Sequence, residues 1–223
     1  MPRFPSMPAG HFGNGTFSPD GKRFYFTICA QDQQWRGSHT PCDLYVTRRI
    51  GSDWEVPHKM RDYLRMDGQT ATQPAVAYID DTEYLYYVSD RRGGQGGLDI
   101  WYTTRKLSTD DFDYDLPQNA GPTVNTAEDE VTPFYDEQEG ALYFSSNGHA
   151  GFGGFDIFRS EKNGSEFSKP VAMEYPLNTS YDDLYFSTDE TVSNAYFSSN
   201  RLGVVYKEEG METCCNDIFK LEY

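Results

Sequence analysis

Apolar residues along this chain come in short runs, and Gly, Pro, Asn, Asp and Ser collect between them. One set of runs, "FYFTIC", "YLYYVS" and "LYFSS", alternates or stacks aromatics. A second set, "DLYV", "DIWY", "DIFR" and "DIFK", opens with Asp and continues apolar. Runs this short, β-branched or aromatic, and bounded by turn residues predict strands. No stretch carries the 3.6-residue apolar period of an amphipathic helix beyond two turns, and no apolar run approaches the roughly 18 residues of a membrane span.

The runs recur in a fixed order, so internal repetition decides the fold. Four segments align: "TFSPDGKRFYFTICAQDQQWRGSHTPCDLYVTRR", "AVAYIDDTEYLYYVSDRRGGQGGLDIWYTTRK", "TPFYDEQEGALYFSSNGHAGFGGFDIFRS" and "LYFSTDETVSNAYFSSNRLGVVYKEEGMETCCNDIFKLEY". The Asp that opens the third strand recurs at Asp43, Asp99, Asp156 and Asp217, and an aromatic-strand Tyr at Tyr25, Tyr86, Tyr143 and Tyr196, about 53 to 61 residues apart. Each unit reads as a short strand, a tight acidic turn, an aromatic strand, a loop rich in Gly, Asn, Ser or Arg, and an Asp-initiated strand. A weaker segment with an aromatic and a proline follows ("WEVP", "FDYDLP", "EFSKP"). Four antiparallel strands repeated at this period predict an all-β propeller with four recognisable blades. The blades are expected at 11–66, 67–125, 126–178 and 179–223 of one propeller domain spanning 1–223. The fourth lacks an outer strand, which residues Pro2 to Pro8, within 1–10, are placed to supply. Two readings stay open: a closed four-blade ring, or a slice of a larger propeller. The repeated Asp residues are expected to accept backbone N–H groups of the Gly-rich loops, a structural role.

At "SPDGKRFYFT", "YLYYVSDRRGGQGGLDIWY" and "LYFSSNGHAGFGGFDIF" the sequence resembles the TolB-like, WD-repeat-like β-propeller family over nearly its whole length. It departs at the first and fourth loops, "CAQDQQWRGSHTPC" and "RLGVVYKEEGMETCC". With "DEVTPFY" and "CCNDIF" it is similar to the propeller region of OmpA-family, type IX secretion-associated envelope lipoproteins. That resemblance implies a periplasmic or outer-membrane-associated scaffold without direct membrane insertion. Any tie to peptidoglycan would run through domains that this chain does not match.

Charge narrows the partners. With 35 acidic against 19 basic residues, the formal net charge of −16 disfavours nucleic acid, whose phosphates need clustered Lys and Arg. The plain reading of the acidity is a solvated surface; a basic partner or divalent cations are the sharper ones. The start "MPRFPSMPAG" lacks the pattern of a signal peptide.

Cys29 and Cys42 fall at facing ends of a hairpin, so a disulfide and two buried thiols are the alternatives. The adjacent Cys214 and Cys215 leave a vicinal bridge, an interchain bridge and free thiols open. No metal or cofactor is expected. "DDFDYD" spaces Asp111, Asp113 and Asp115 like a calcium loop, but Leu116 and Pro122 stand where Gly and Glu are required. The four His are isolated; nucleophile-elbow, zincin and P-loop motifs are absent.

A glycosidase needs two carboxylates flanking a bond. Glu130, Asp182 and Asp183, at the starts of first strands, are the candidates. The expectation is nevertheless a non-enzymatic, protein-binding scaffold with envelope proteins as partners and Trp35, Arg91, Arg92, Phe152 and Arg201 as contacts, because aromatics and Arg dominate interaction hot spots. The alternative is a carbohydrate-binding or glycoside-hydrolysing propeller, and a third reading is a structural spacer.

Overall fold

A computed structural model describes residues 9–30, 40–61, 64, 68–109, 112–189, 191, 193–202 and 216–222. Pro2 to Pro8, Trp35, Asp111, Cys214 and Cys215 lie outside the described residues. The chain is all-β, with four antiparallel sheets of β-propeller blade type. It divides into two compact units: residues 1–94 with 98–120, and residues 95–97 with 121–223.

The first unit holds two blades. Blade one runs β1 (His11–Phe17), β2 (Arg23–Cys29), β3 (Cys42–Ile50) and β4 (Asp53–Trp54) in spatial order, and β5 (His58–Lys59) also pairs with β3. Blade two runs β6 (Ala71–Ile79), β7 (Thr82–Ser89), β8 (Asp99–Lys106) and β9 (Gln118–Asn119). Alternation sends Tyr25, Leu44, Val46, Leu85, Tyr87 and Trp101 into one apolar cluster. Burial of such side chains stabilises by about 1.5–3 kcal/mol each. It is why each aromatic strand reads as near-continuous apolar sequence.

The second unit holds blade three, β10 (Glu130–Asp136), β11 (Ala141–Ser146), β12 (Asp156–Asn163) and β13 (Glu166–Phe167), with β14 (Val171–Ala172) also on β12. Blade four is β15 (Asp183–Thr188), β16 (Asn194–Ser199) and β17 (Asp217–Glu222). No fourth strand joins β17 among the described residues. Tyr143, Ile157, Leu177, Phe186 and Phe197 form the core of this unit. The Tyr143 and Phe186 rings stack at 4.4 Å, joining the two blades.

Every first strand carries a β-bulge at the same place. The register shifts at Gly13/Gly15, Thr72/Ala75, Val131/Phe134 and Leu184/Ser187. The extra residues are left-handed and none is glycine: Asn14 at φ 39°, Gln73 at 52°, Thr132 at 52° and Tyr185 at 57°. Such a residue costs free energy and persists only where its surroundings hold it, and a bulge of this kind bends the strand and sharpens its twist. In the first unit Gln73 N–H donates to Thr27 Oγ1 at 3.3 Å, and in the second Tyr185 N–H donates to Thr132 Oγ1 at 3.3 Å. Helices long and apolar enough to cross a membrane are absent among the described residues.

Cys29 and Cys42 face each other across β2 and β3 and are joined, S–S 2.05 Å. The bridge spans a sequence separation of 13, a length for which loop-closure entropy gives about 3 kcal/mol. The paired Cys29→Ser, Cys42→Ser variant is expected to lose about 3 kcal/mol of unfolding free energy, read from urea midpoints at unchanged slope. An unchanged midpoint would show that the bridge carries no stability.

Candidate functional site

The carboxylates proposed for hydrolysis lie where two blades of the second unit begin, in matching loops: "NTAEDE" from Asn125 and "NTSYDD" from Asn178. Glu130 is fully buried. Its Oε1 accepts from Thr126 Oγ1 and Ser146 Oγ, both at 2.7 Å, and its Oε2 from Thr126 N–H at 2.7 Å. Asp183, equally buried, accepts Thr179 N–H at 2.6 Å, Thr179 Oγ1 at 2.9 Å and Arg201 Nη2 at 2.6 Å. Asp182 accepts Phe155 N–H at 3.0 Å and Asn200 Nδ2 at 3.0 Å. Glu130 and Asp183 thus tie down their own loops, and Asp182 ties its loop to Phe155 and Asn200. A Cβ at Gly153 would strike the carbonyls of Tyr181 and Thr179, so the Gly-rich loop of blade three needs glycine to lie against that turn.

The repeated Asp residues hold local backbone or neighbouring side chains. Asp156 accepts N–H groups of Phe152 at 2.7 Å and Gly153 at 2.9 Å. Burial pushes its carboxyl up against those two bonds, and the charges of Asp183 and Asp182 add to the push. It is 1% exposed. Asp99 accepts from Asn119 Nδ2 at 3.2 Å, Asp43 pairs with Lys59 at 3.3 Å, and Asp217 stands opposite Ser199. The loops that follow the aromatic strands have a matching physical basis. Asp90, Asn147 and Asn200 accept the N–H of Thr70, Asp129 and Asp182, at 2.7, 2.9 and 2.8 Å, and so fix how each first strand starts.

Of the expected contact residues, Arg201 is spent inside the fold. It donates to the carbonyls of Pro176 and Leu177 as well as to Asp183, and it stacks on Phe197 and Phe219. Arg91 lies over Trp101 at 4.7 Å. Arg92 and Phe152 are exposed on the loops.

The chemistry that does gather lies at the opposite end of the blades, inside the first unit. Glu83 on β7 is 0% exposed. Its Oε1 accepts from the Tyr25 and Tyr114 hydroxyls, both at 2.5 Å, and its Oε2 from Arg105 Nη2 at 2.6 Å, with Arg23 Nη1 at 3.8 Å. Burial drives both tyrosines above their ordinary value; for Tyr25 the neighbouring Tyr114 and Glu83 add to it, for Tyr114 the Glu83 charge. Both hydroxyls therefore remain protonated donors.

Above this cluster opens a cleft of about 670 Å³. The β1–β2 turn contributes Asp20 and Lys22, the end of β3 contributes Arg48 and Arg49, and Tyr78 and the Leu107–Thr109 segment close the far side. Arg23 and Arg105 lie on its floor, 4% and 5% exposed. Burial works against ionisation of Asp20, but hydrogen bonds from Ser18 and Lys22 outweigh it and hold the carboxyl down at about 2. Burial pushes the Tyr78 hydroxyl up to about 12. Glu55 takes the Arg48 guanidinium in a two-pronged pair, at 2.8 and 3.2 Å. The expected contact residues on the Gly-rich loops missed this site. Its signal was basic residues at one position of the repeat: Arg49, Arg105 and Lys162 each lie six residues after the repeated Asp.

No protein-family model matches the sequence, and no curated protein matches it either. Solved structures do. A TolB structure from Agrobacterium tumefaciens superposes at TM-score 0.56 with 13% identity, over 95% of this chain and 61% of that one. This chain thus spans about 61% of that protein's length. A structure described as a glycoside hydrolase matches at 0.58 with 10% identity, covering 94% and 70% of the two chains. An α-L-arabinofuranosidase from Lactobacillus brevis matches at 0.54 with 11% identity, covering 89% and 68%. At these identities the likeness shows the fold.

It also corrects two expectations. The TolB resemblance had favoured a non-enzymatic scaffold and a chain without enzymatic activity. Structures of carbohydrate-cleaving enzymes match as well as TolB does, so the blade architecture gives no ground for either statement. The repeated motifs that carried the resemblance hold the loops and strand starts of the blades, and that work is the same whether or not a propeller is catalytic.

Removing one member of a buried ion pair strands its partner at a cost of about 3–5 kcal/mol. Glu83→Ala is therefore expected to destabilise by about that amount in chemical denaturation, with Glu83→Gln milder. The two tyrosines also set a pH dependence. A folded-state pKa above the ordinary tyrosine value of about 10 gives stability that is intact below pH 10 and is lost as pH rises beyond it. Denaturation midpoints measured from neutral to strongly alkaline pH are expected to fall above about pH 10, and less steeply in Tyr114→Phe.

Proposed function

We propose that this chain is a carbohydrate-active propeller that binds a glycan in the cleft of its first unit. The observation that carries the reading is the cleft itself: about 670 Å³, walled by Arg, Asp, Glu and Tyr side chains on a floor fixed from below by Glu83. Planar side chains with several donors and acceptors suit a ligand covered in hydroxyls, and a pre-set floor lowers the ordering cost of binding. The likeness to a glycoside hydrolase and an arabinofuranosidase supports this reading.

Binding is the step that the geometry supports. Hydrolysis needs one protonated and one ionised carboxyl facing the same bond. In the cleft, Asp20 is held ionised and Glu55 is gripped by Arg48. The Cys29–Cys42 bridge favours an oxidising compartment, which agrees with a periplasmic or cell-surface location.

A panel of defined oligosaccharides, assayed for binding by calorimetry and for cleavage by product analysis, tests the proposal. The expected result is saturable binding of at least one glycan class, weakened about tenfold or more by Arg48→Ala. Absence of binding across the panel contradicts it, and so does binding unaffected by substitutions in the cleft.

A further inference from the structure

We infer that Asn163 is a self-modifying site, the one Asn-Gly pair that the fold leaves able to convert to aspartate and isoaspartate by attack of the following glycine's amide. This stands apart from the cleft and its ligand. The chain contains three such pairs, Asn14-Gly15, Asn147-Gly148 and Asn163-Gly164. A glycine after asparagine removes the Cβ that would shield the attacking backbone nitrogen. Ring closure then needs the asparagine side chain and the next amide to swing together, so room and restraint at each pair decide its reactivity.

The three pairs differ in that respect. A Cβ on Gly15 would strike the ring of Phe24, and one on Gly148 the side chain of Thr126. Asn14 sits in the bulge of a strand that is paired on either side of it, Gly13 to Thr27 and Gly15 to Phe26. Gly148 N–H donates to Ser146 Oγ at 3.0 Å, and Asn147 Oδ1 accepts Asp129 N–H at 2.9 Å, so both reacting groups of that pair are held. Asn163 instead ends β12 at the tip of the hairpin to β13. It is exposed, and Gly164, at φ 62°, has open space where a Cβ would stand.

In the reaction the Gly164 nitrogen gives up its proton and bonds to Cγ of Asn163. The Cγ–Nδ2 bond breaks, ammonia leaves, and a succinimide remains. Water adds to either ring carbonyl. One opening gives aspartate; the other gives isoaspartate, whose main chain runs through the former side chain and is one carbon longer. Either product adds a negative charge between Glu161 and Glu166. Isoaspartate also throws the Asn163–Glu166 pair out of register and shifts the Gly164 carbonyl that Lys162 Nζ holds at 2.6 Å. The hairpin therefore loosens from its tip.

The test incubates the full chain at neutral and at mildly alkaline pH, folded and unfolded in guanidinium, and follows each pair by peptide mass spectrometry. Conversion adds one mass unit, and electron-transfer fragmentation identifies isoaspartate. In the folded chain Asn163 is expected to convert at least about tenfold faster than Asn14 and Asn147. In the unfolded chain the three rates should converge. Alkaline pH should speed conversion, because the attacking nitrogen must lose its proton. Asn163→Gln, whose ring would need an extra atom, should stay unconverted there. Aged folded protein should lose hydrogen-exchange protection from Asn163 to Glu166 while β11 keeps its own. Equal rates at the three pairs in the folded chain overturn the inference, as does conversion of Asn163 only after unfolding. A lead of Asn163 that persists unchanged in guanidinium overturns it as well, since neighbouring sequence and not the fold would then set the rate.

Discussion

The first unit is organised around one buried carboxylate. Glu83 reaches from blade two to the hydroxyl of Tyr25 in blade one, to Tyr114, and to the guanidinium of Arg105. A lone carboxylate in such surroundings would be very costly, and what makes it tolerable is that both oxygens are filled by charged or well-aimed donors. The geometry of the two blades follows from that requirement. Tyr25 must stand on β2 within reach of β7, and the 112–115 segment must return across β8 to deliver Tyr114.

The same group fixes the cleft. Because Glu83 holds Arg105 from beneath, the floor is held in place by the protein's own contacts. Phe112 works alongside it, with the guanidinium carbons of Arg23 and Arg48 at 5.4 and 4.8 Å from its ring centre. Arginine carries a large rotamer entropy, and stacking and pairing reduce what binding must still freeze. The second unit spends its acids differently. Glu130 and Asp183 close their own loops, and the arginine nearest to them, Arg201, is consumed by the fold. The repeat offers the same positions in each blade, and the composition around each decides whether a charge serves the loop or faces solvent.

Much of the fold was legible in the sequence, because strand alternation and the recurring Asp and Tyr positions are local signals with a fixed period. The aromatic strands appear as β2, β7, β11 and β16, with the acidic turns just before them, and the strands of the recurring Asp as β3, β8, β12 and β17. The bulges were not legible. Asn14, Gln73, Thr132 and Tyr185 share no residue type, and the threonine hydroxyls that meet the N–H of Gln73 and of Tyr185 stand on other strands, far away in sequence. The site was the least legible part. Glu83 looked like one more acid in the turn "IDDTE", and only the three-dimensional return of Tyr114 and Arg105 shows it to be buried. The carboxylates that seemed placed for chemistry, Glu130 and Asp183, stand out by position in the repeat, and position alone cannot show that their oxygens are filled.

A crystal structure of the chain grown with a bound oligosaccharide, chosen as the tightest binder, tests the account most directly. The account predicts sugar density in the cleft of the first unit, with hydroxyl oxygens at hydrogen-bond distance from Arg48 and Arg49, and with Glu83, Tyr25 and Arg105 unmoved beneath it. Sugar bound on the Gly-rich loops or in the second unit, with the cleft empty, would contradict it.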